Sequence, residues 1–189
     1  LDTVMISGVG EAAVSGVSLV DNINILVINV FAALATGGAV VAGHALGQKN
    51  REQAGRFAWQ MVLFLLYSSV TMTVLLLGAH RVILRAIFGQ VEEDVMTSAV
   101  TYLIITGLSI CPLALYNGCA ALFRAMGDSK TTMYISLLMN LINLVGNVIL
   151  IFLFQMGVAG AAIATLIART VAALLIFRLM FDGKREIHF

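Results

Sequence analysis

Asn140-Leu-Ile-Asn143-Leu-Val-Gly-Asn147 lies inside an apolar run that extends from Met133 to Phe154. About 20 apolar residues are enough for a helix to cross a bilayer core. The three asparagines are spaced three and four apart, so a helix carries them on one face. Amides in hydrocarbon are costly unless they meet a partner, a cavity or a ligand. The stretch therefore predicts a membrane-spanning helix whose polar face is where function should be sought.

Composition extends this reading to the whole chain. Of 189 residues, 60% are hydrophobic and 11% are charged. A soluble domain carries about 25% charged residues. This chain has too few to cover a globular surface, so lipid is its expected solvent. The net charge of +1 gives no case for a nucleic-acid partner. Cys111 and Cys119 lie eight apart in one apolar segment. On a helix that is about 12 Å along the axis, too far for a disulfide. They read as buried small apolar residues.

Outward from the asparagines, the apolar segments predict an all-α polytopic bundle of about five full spans and a partial first one. The partial span runs from Leu1 to about Ser7 and stops at Gly8-Val-Gly10. The full spans are expected at about Ala12–Gly38, continuing toward Ala45, then Phe57–Leu77, Val95–Leu122, Thr132–Phe154 and Val158–Phe181. Gly37-Gly38 is expected to loosen the end of the first of these. A short interfacial helix is expected over Arg81–Phe88. No link resembles a soluble domain or a flexible linker, so residues 1–189 form one transmembrane domain. Leu1 begins mid-segment, and the true amino terminus is expected to be missing.

Orientation follows from Lys and Arg in the links. Lys49, Arg51, Arg56, Arg124, Lys130, Arg178, Lys184 and Arg185 fall on one side, and only Arg81 and Arg85 on the other. Eight against two places the first group, and the carboxyl end, in the cytoplasm. The localisation expected is the cell membrane, crossed several times.

Polar residues inside the spans are the site candidates. Asp21, Asn22, Asn24 and Asn29 fall within an arc of about 160° on their helix. Amides there also serve as glue between helices, but an ionised Asp21 costs about 3 kcal/mol or more in that setting. Thr165 and Arg169 lie four apart, with Arg169 about 16 Å into its span. Arg169 should point into the bundle; Asp2 and Asp21 are the acidic partners available. Asp21, Asn22, Asn29, Asn140 and Arg169 are the candidate cavity residues. Pro112 removes the backbone bond to Leu108 and marks either a hinge or a fixed bend. Gly43 and Gly47 have the spacing of a close helix contact. His44, His80 and His188 read as interfacial. No phosphate loop, metal-ligand cluster or activated nucleophile is present at workable spacing, so the chain is not expected to be an enzyme.

At this point the residues resemble a known family. Leu1-Asp2-Thr-Val-Met-Ile-Ser-Gly8 is similar to the first-helix signature of the multidrug and toxic compound extrusion (MATE) transporters. Ala35-Thr-Gly-Gly-Ala-Val-Val-Ala-Gly43, Leu122-Phe-Arg-Ala-Met-Gly-Asp-Ser-Lys130, Asn143-Leu-Val-Gly-Asn147 and Gly157-Val-Ala-Gly-Ala-Ala-Ile-Ala-Thr165 continue the resemblance in order. It implies twelve helices in two six-helix lobes, of which this chain resembles the amino-terminal one. It implies a missing carboxyl-terminal lobe of the same polypeptide, and efflux of small organic cations driven by inward sodium or protons. No cofactor is implied beyond that coupling ion, and no metal beyond sodium at the coupling site. By position, Asp2 resembles the coupling carboxylate of the first helix. Asn143, Asn147 and Thr165 match polar positions that complete a cation site in some members. Some of those have Asp where Asn147 stands, which leaves sodium and proton both open. A lipid-linked saccharide flippase of the same superfamily would be expected to carry several deep basic residues, and here only Arg169 is deep. A non-transporting membrane scaffold is the rival from another class.

Overall fold

The computed structural model describes residue 6 and residues 10–88 and 93–181. Asp2, Glu92, Lys184, Arg185 and His188 lie outside them. The described residues form six α-helices: α1 (Glu11–Gly47), α2 (Arg51–Phe88), α3 (Glu93–Leu108), α4 (Ile110–Ala125), α5 (Ser129–Asn147) and α6 (Gly157–Leu179). A π-helical segment, Val148–Leu153, continues α5. Four stretches are long and apolar enough to cross a membrane: Glu11–Gly47, Arg51–His80, Ser129–Leu153 and Gly157–Leu179. The pair α3 and α4, bent by 46°, counts as a fifth when taken as one broken span. The fold is the predicted polytopic helix bundle.

Local chemistry sets the helix ends. Asn50 accepts from the Gln53 N–H at 3.0 Å, and its amide donates back to Gln53 Oε1 at 3.1 Å. This reciprocal cap starts α2. Gly127, with φ +79, ends α4 in the left-handed region, and the Asp128 N–H bonds back to Phe123 O at 2.9 Å. Asp128 then caps α5 through the Thr131 N–H at 3.1 Å. Seven residues, Arg124 to Lys130, therefore suffice to stop one span and begin the next.

The spans differ from expectation in their interiors. Gly37-Gly38 does not loosen α1, which runs unbroken to Gly47. Gly38 instead lies against Met61, leaving no room for a Cβ. One division was expected: non-helical backbone at Ala79 (φ −114, ψ 16) separates the span that starts at Arg51 from a short helical stretch ending at Phe88, in line with Phe57–Leu77 followed by Arg81–Phe88. The expected single span Val95–Leu122 is two helices broken at Ser109, within the turn that Pro112 was expected to loosen. The last turns before Phe154 are π-helical, with the Phe154 N–H bonding to Ile149 O at 3.0 Å. Apolar composition is the same for α and π turns, so this was not legible.

α1 packs against α2, α3 and α4, and α6 against α3, α4 and α5. Small residues allow the approach. The face of α6 that is buried is Gly160, Ala161, Ala164, Ala168 and Ala172. A Cβ on Gly160 would stand 3.0 Å from the Leu150 carbonyl in the π segment. One on Gly16 would stand 2.9 Å from Val95 O and Ala99 N of α3. These are backbone atoms and cannot swing away. Gly16→Val is expected to cost about 1–3 kcal/mol by overpacking, read as lower yield and a lower melting temperature in detergent. Wild-type values would show that the α1–α3 crossing gives way freely. Tyr67, Val74, Val82, Leu141 and Leu153 are exposed, as lipid-facing residues should be.

Gly43 and Gly47 do not make a close helix contact. Nothing lies within 4 Å of a Cβ built on Gly47, and Gly43 only reaches Ala125 at 3.7 Å. Both line an open groove of about 810 Å³ between the ends of α1 and α4, with His44, Gln48 and Arg124. The groove also shows that the basic links after α1 and α4 share one end of the bundle.

Candidate functional site

A cavity of about 300 Å³ lies where α1, α3, α5 and α6 meet. α1 contributes Asp21, Asn24, Ile25 and Ile28; α3 contributes Tyr102; α5 contributes Met139, Asn140 and Asn143; α6 contributes Thr165, Ala168 and Arg169. Helical periodicity builds it. Asn140 and Asn143 are three apart, Thr165 and Arg169 four apart, so each pair faces the same way.

The polar groups are tied into chains. Asn143 donates from its amide to Thr165 Oγ1 at 3.0 Å. Asn147 donates to Asn143 Oδ1 at 3.4 Å from a position with no solvent exposure. The π segment begins directly after Asn147. Such widened turns often occur at functional sites. Tyr102 Oη donates to Asp21 Oδ1 at 3.3 Å. Arg169 Nη1 donates to Ser109 Oγ at 2.6 Å. The cavity thus offers neutral amide and hydroxyl oxygens together with a carboxylate and a guanidinium. Neutral oxygens beside a carboxylate are the donors that hard cations such as sodium prefer.

The structure places the expected residues unequally. Asp21, Asn140, Asn143, Thr165 and Arg169 line this cavity, and Asn147 lies behind Asn143. Asn22 and Asn29 do not line it. They lie about 80–100° round the helix from Asp21 and are exposed; the Asn22 amide donates to Ser18 O at 3.1 Å. Asn24, from the same arc, is buried against the bundle. An arc of about 160° is wider than the surface a helix gives to one cavity. Val20, Ile23 and Val27 of the same helix are buried in the core. Asp2 lies outside the described residues. Two participants were not singled out from sequence, Tyr102 and Ser109, nor was one buried amide outside the cavity lining, Asn117. The Asn117 amide nitrogen is buried with no hydrogen-bond partner among the described residues. The rule applied to Asn143, an amide in mid-span, would have found it.

Known proteins resemble this chain along nearly its whole length. "Probable multidrug resistance protein NorM" of Thermotoga maritima is 31% identical over 98% of this chain and 40% of its own length. "Uncharacterized transporter YisQ" of Bacillus subtilis is 30% identical over 97% of this chain and 40% of its own. The chain therefore spans about 40% of the length of the curated relatives it matches. A solved structure described as the inward-facing conformation of a multidrug resistance MATE family transporter of the MOP superfamily superimposes with a TM-score of 0.92. It is 26% identical and is matched over 98% of this chain and 42% of its own. The MatE family model matches residues 1–149, well over half of the sequence, and the chain belongs to the MatE family, whose members are membrane transporters and not enzymes.

Proposed function

We propose that this chain is the amino-terminal lobe of a secondary antiporter that exports small organic cations in exchange for inward protons or sodium. The observation that carries the reading is the hydrogen-bonded set Asn143, Asn147 and Thr165 beside Asp21 and Arg169, in a cavity of an otherwise apolar bundle. Polar groups of this kind in a membrane bundle are expensive and mark ion or substrate paths. The coupling ion engages Asn143, Asn147 and Thr165 together with Asp2, the carboxylate that the family resemblance supplies. Asp21, Asn140 and Arg169 form the substrate side of the same cavity. Asn22 and Asn29 are exposed amides on an apolar helix, and they face the second lobe. The break near Pro112 is the hinge. Binding of the ion drives alternating access only because the inward- and outward-open states bind it with different affinity.

The site is expected to respond to charge at Asn147. Asn147→Asp adds a carboxylate one helical turn from Asn143. Flux of ethidium from vesicles is expected to become more sodium-dependent, with half-maximal sodium lowered at least about tenfold, or about 1.4 kcal/mol of added affinity. An unchanged sodium dependence would place the ion elsewhere.

The chain lies in the cell membrane with its basic links in the cytoplasm, by the loop bias. Single cysteines at Lys49 and Arg124 are expected to resist an impermeant maleimide in intact cells, and one at Glu92 to react. The reverse pattern would invert the orientation.

A further inference from the structure

We propose that Ser109 is a positioning residue that latches the broken fourth span to the cavity through Arg169. The break is built from backbone groups without helical partners. Pro112 has no N–H to give to Leu108 O. The Ser109 N–H and Oγ both donate to Thr106 O, at 3.0 and 2.6 Å. Gly107 O accepts from Thr73 Oγ1 of α2 at 3.2 Å. Ser109 itself has no solvent exposure. Onto its hydroxyl oxygen comes Arg169 Nη1 at 2.6 Å, from a residue that also lines the cavity.

The arrangement is asymmetric. The Ser109 proton is already given to Thr106 O, so Ser109 loses no donor contact if Arg169 leaves. Arg169 keeps its charge in every state and has a second direction to turn, into the cavity. A cation in the cavity repels the guanidinium and holds it on Ser109; a cavity with net negative charge draws it off. The other half of the span reports to the same cavity, because Tyr102, seven residues before Ser109, donates to Asp21. The angle between α3 and α4, 46° here, is thereby made to follow what the cavity contains. This goes beyond the hinge role of Pro112, since proline alone makes a bend but not one that senses a ligand. The sensing consequence rests on the cation reading above; the latch geometry does not.

Spin labels at Thr97→Cys and Ala125→Cys, both exposed and on opposite sides of the break, measure the bend in the intact transporter, with Cys111 and Cys119 replaced. Without ligand, Ser109→Ala and Arg169→Gln are each expected to shift or broaden the inter-label distance distribution. The double change is expected to go no further than either alone, and Ser109→Thr to retain the wild-type distribution. Adding ethidium is expected to narrow the wild-type distribution and to leave that of Ser109→Ala unchanged. If Ser109→Ala does not fold, Arg169→Gln carries the same comparison. A Ser109→Ala distribution that superimposes on wild type, or effects that add in the double variant, would overturn the latch. Ethidium binding by wild type is followed separately by its fluorescence. Its absence would count against the cation reading while the ligand-free comparison still decides the latch.

Discussion

Asp2→Asn is expected to reduce gradient-driven ethidium efflux from vesicles to background while the protein still inserts in the membrane. A coupling site must trade one ion for another, and that trade needs a group that changes charge. Asn143, Asn147 and Thr165 are neutral; they shape a site but do not bind a proton. The resemblance supplies Asp2 for this task. Asn has nearly the same shape as Asp, so the change removes charge and spares volume. Asp21→Asn is the companion variant. Asp21 accepts from Tyr102 and is proposed for the substrate side, so its loss should weaken ethidium affinity while the response to a gradient persists. If the two phenotypes are exchanged, the carboxylates have been assigned the wrong way round. Wild-type flux in Asp2→Asn under both proton and sodium gradients would remove Asp2 from the site.

Asn143→Leu is expected to have the next largest effect. Asn143 is the middle of the polar chain: it donates to Thr165 and accepts from Asn147. Leucine is close in size and at home in lipid, so the helix should still insert. It would leave the Asn147 amide, which has no solvent exposure, without this acceptor. Single hydrogen bonds between membrane helices are worth about 0.6 kcal/mol on average and reach about 1.7 kcal/mol. Two are lost, together with the oxygen proposed to ligate the ion. A rise of at least about tenfold in the cation concentration needed for half-maximal efflux is expected, equal to about 1.4 kcal/mol. Thr165→Val should produce a smaller rise, and the double variant should be less than additive, because the two share one bond. An Asn143→Leu protein with wild-type cation dependence would show that the chain is packing glue alone.

The fold was largely legible, and the reason is the cost of placing polar backbone or side chains in hydrocarbon. Runs such as Met133–Phe154 and Val158–Phe181 have few alternatives to a spanning helix. Helix spacing also brought Asn143, Thr165 and Arg169 to the cavity wall, since residues three or four apart must share a face. What spacing did not show is where a face stops being a cavity. Asn22 and Asn29 lie on the polar arc of α1 but beyond the neighbours that close the cavity around Asp21. Ser109 was hidden for a different reason. Serine is unremarkable in a membrane helix, and its role arises from Arg169, which is sixty residues away in sequence. The π turn after Asn147 has no compositional mark at all, and Gly160 against Leu150 shows its place only in three dimensions.

An ion moving inward is proposed to drive an organic cation outward through this lobe and its partner. The most direct test is ethidium efflux from vesicles holding the intact transporter, with an imposed proton gradient, an imposed sodium gradient, or neither. At least one gradient is expected to accelerate efflux, and collapsing it with an ionophore to return the rate to the ungradiented level. Equal rates in all three conditions would contradict that coupling.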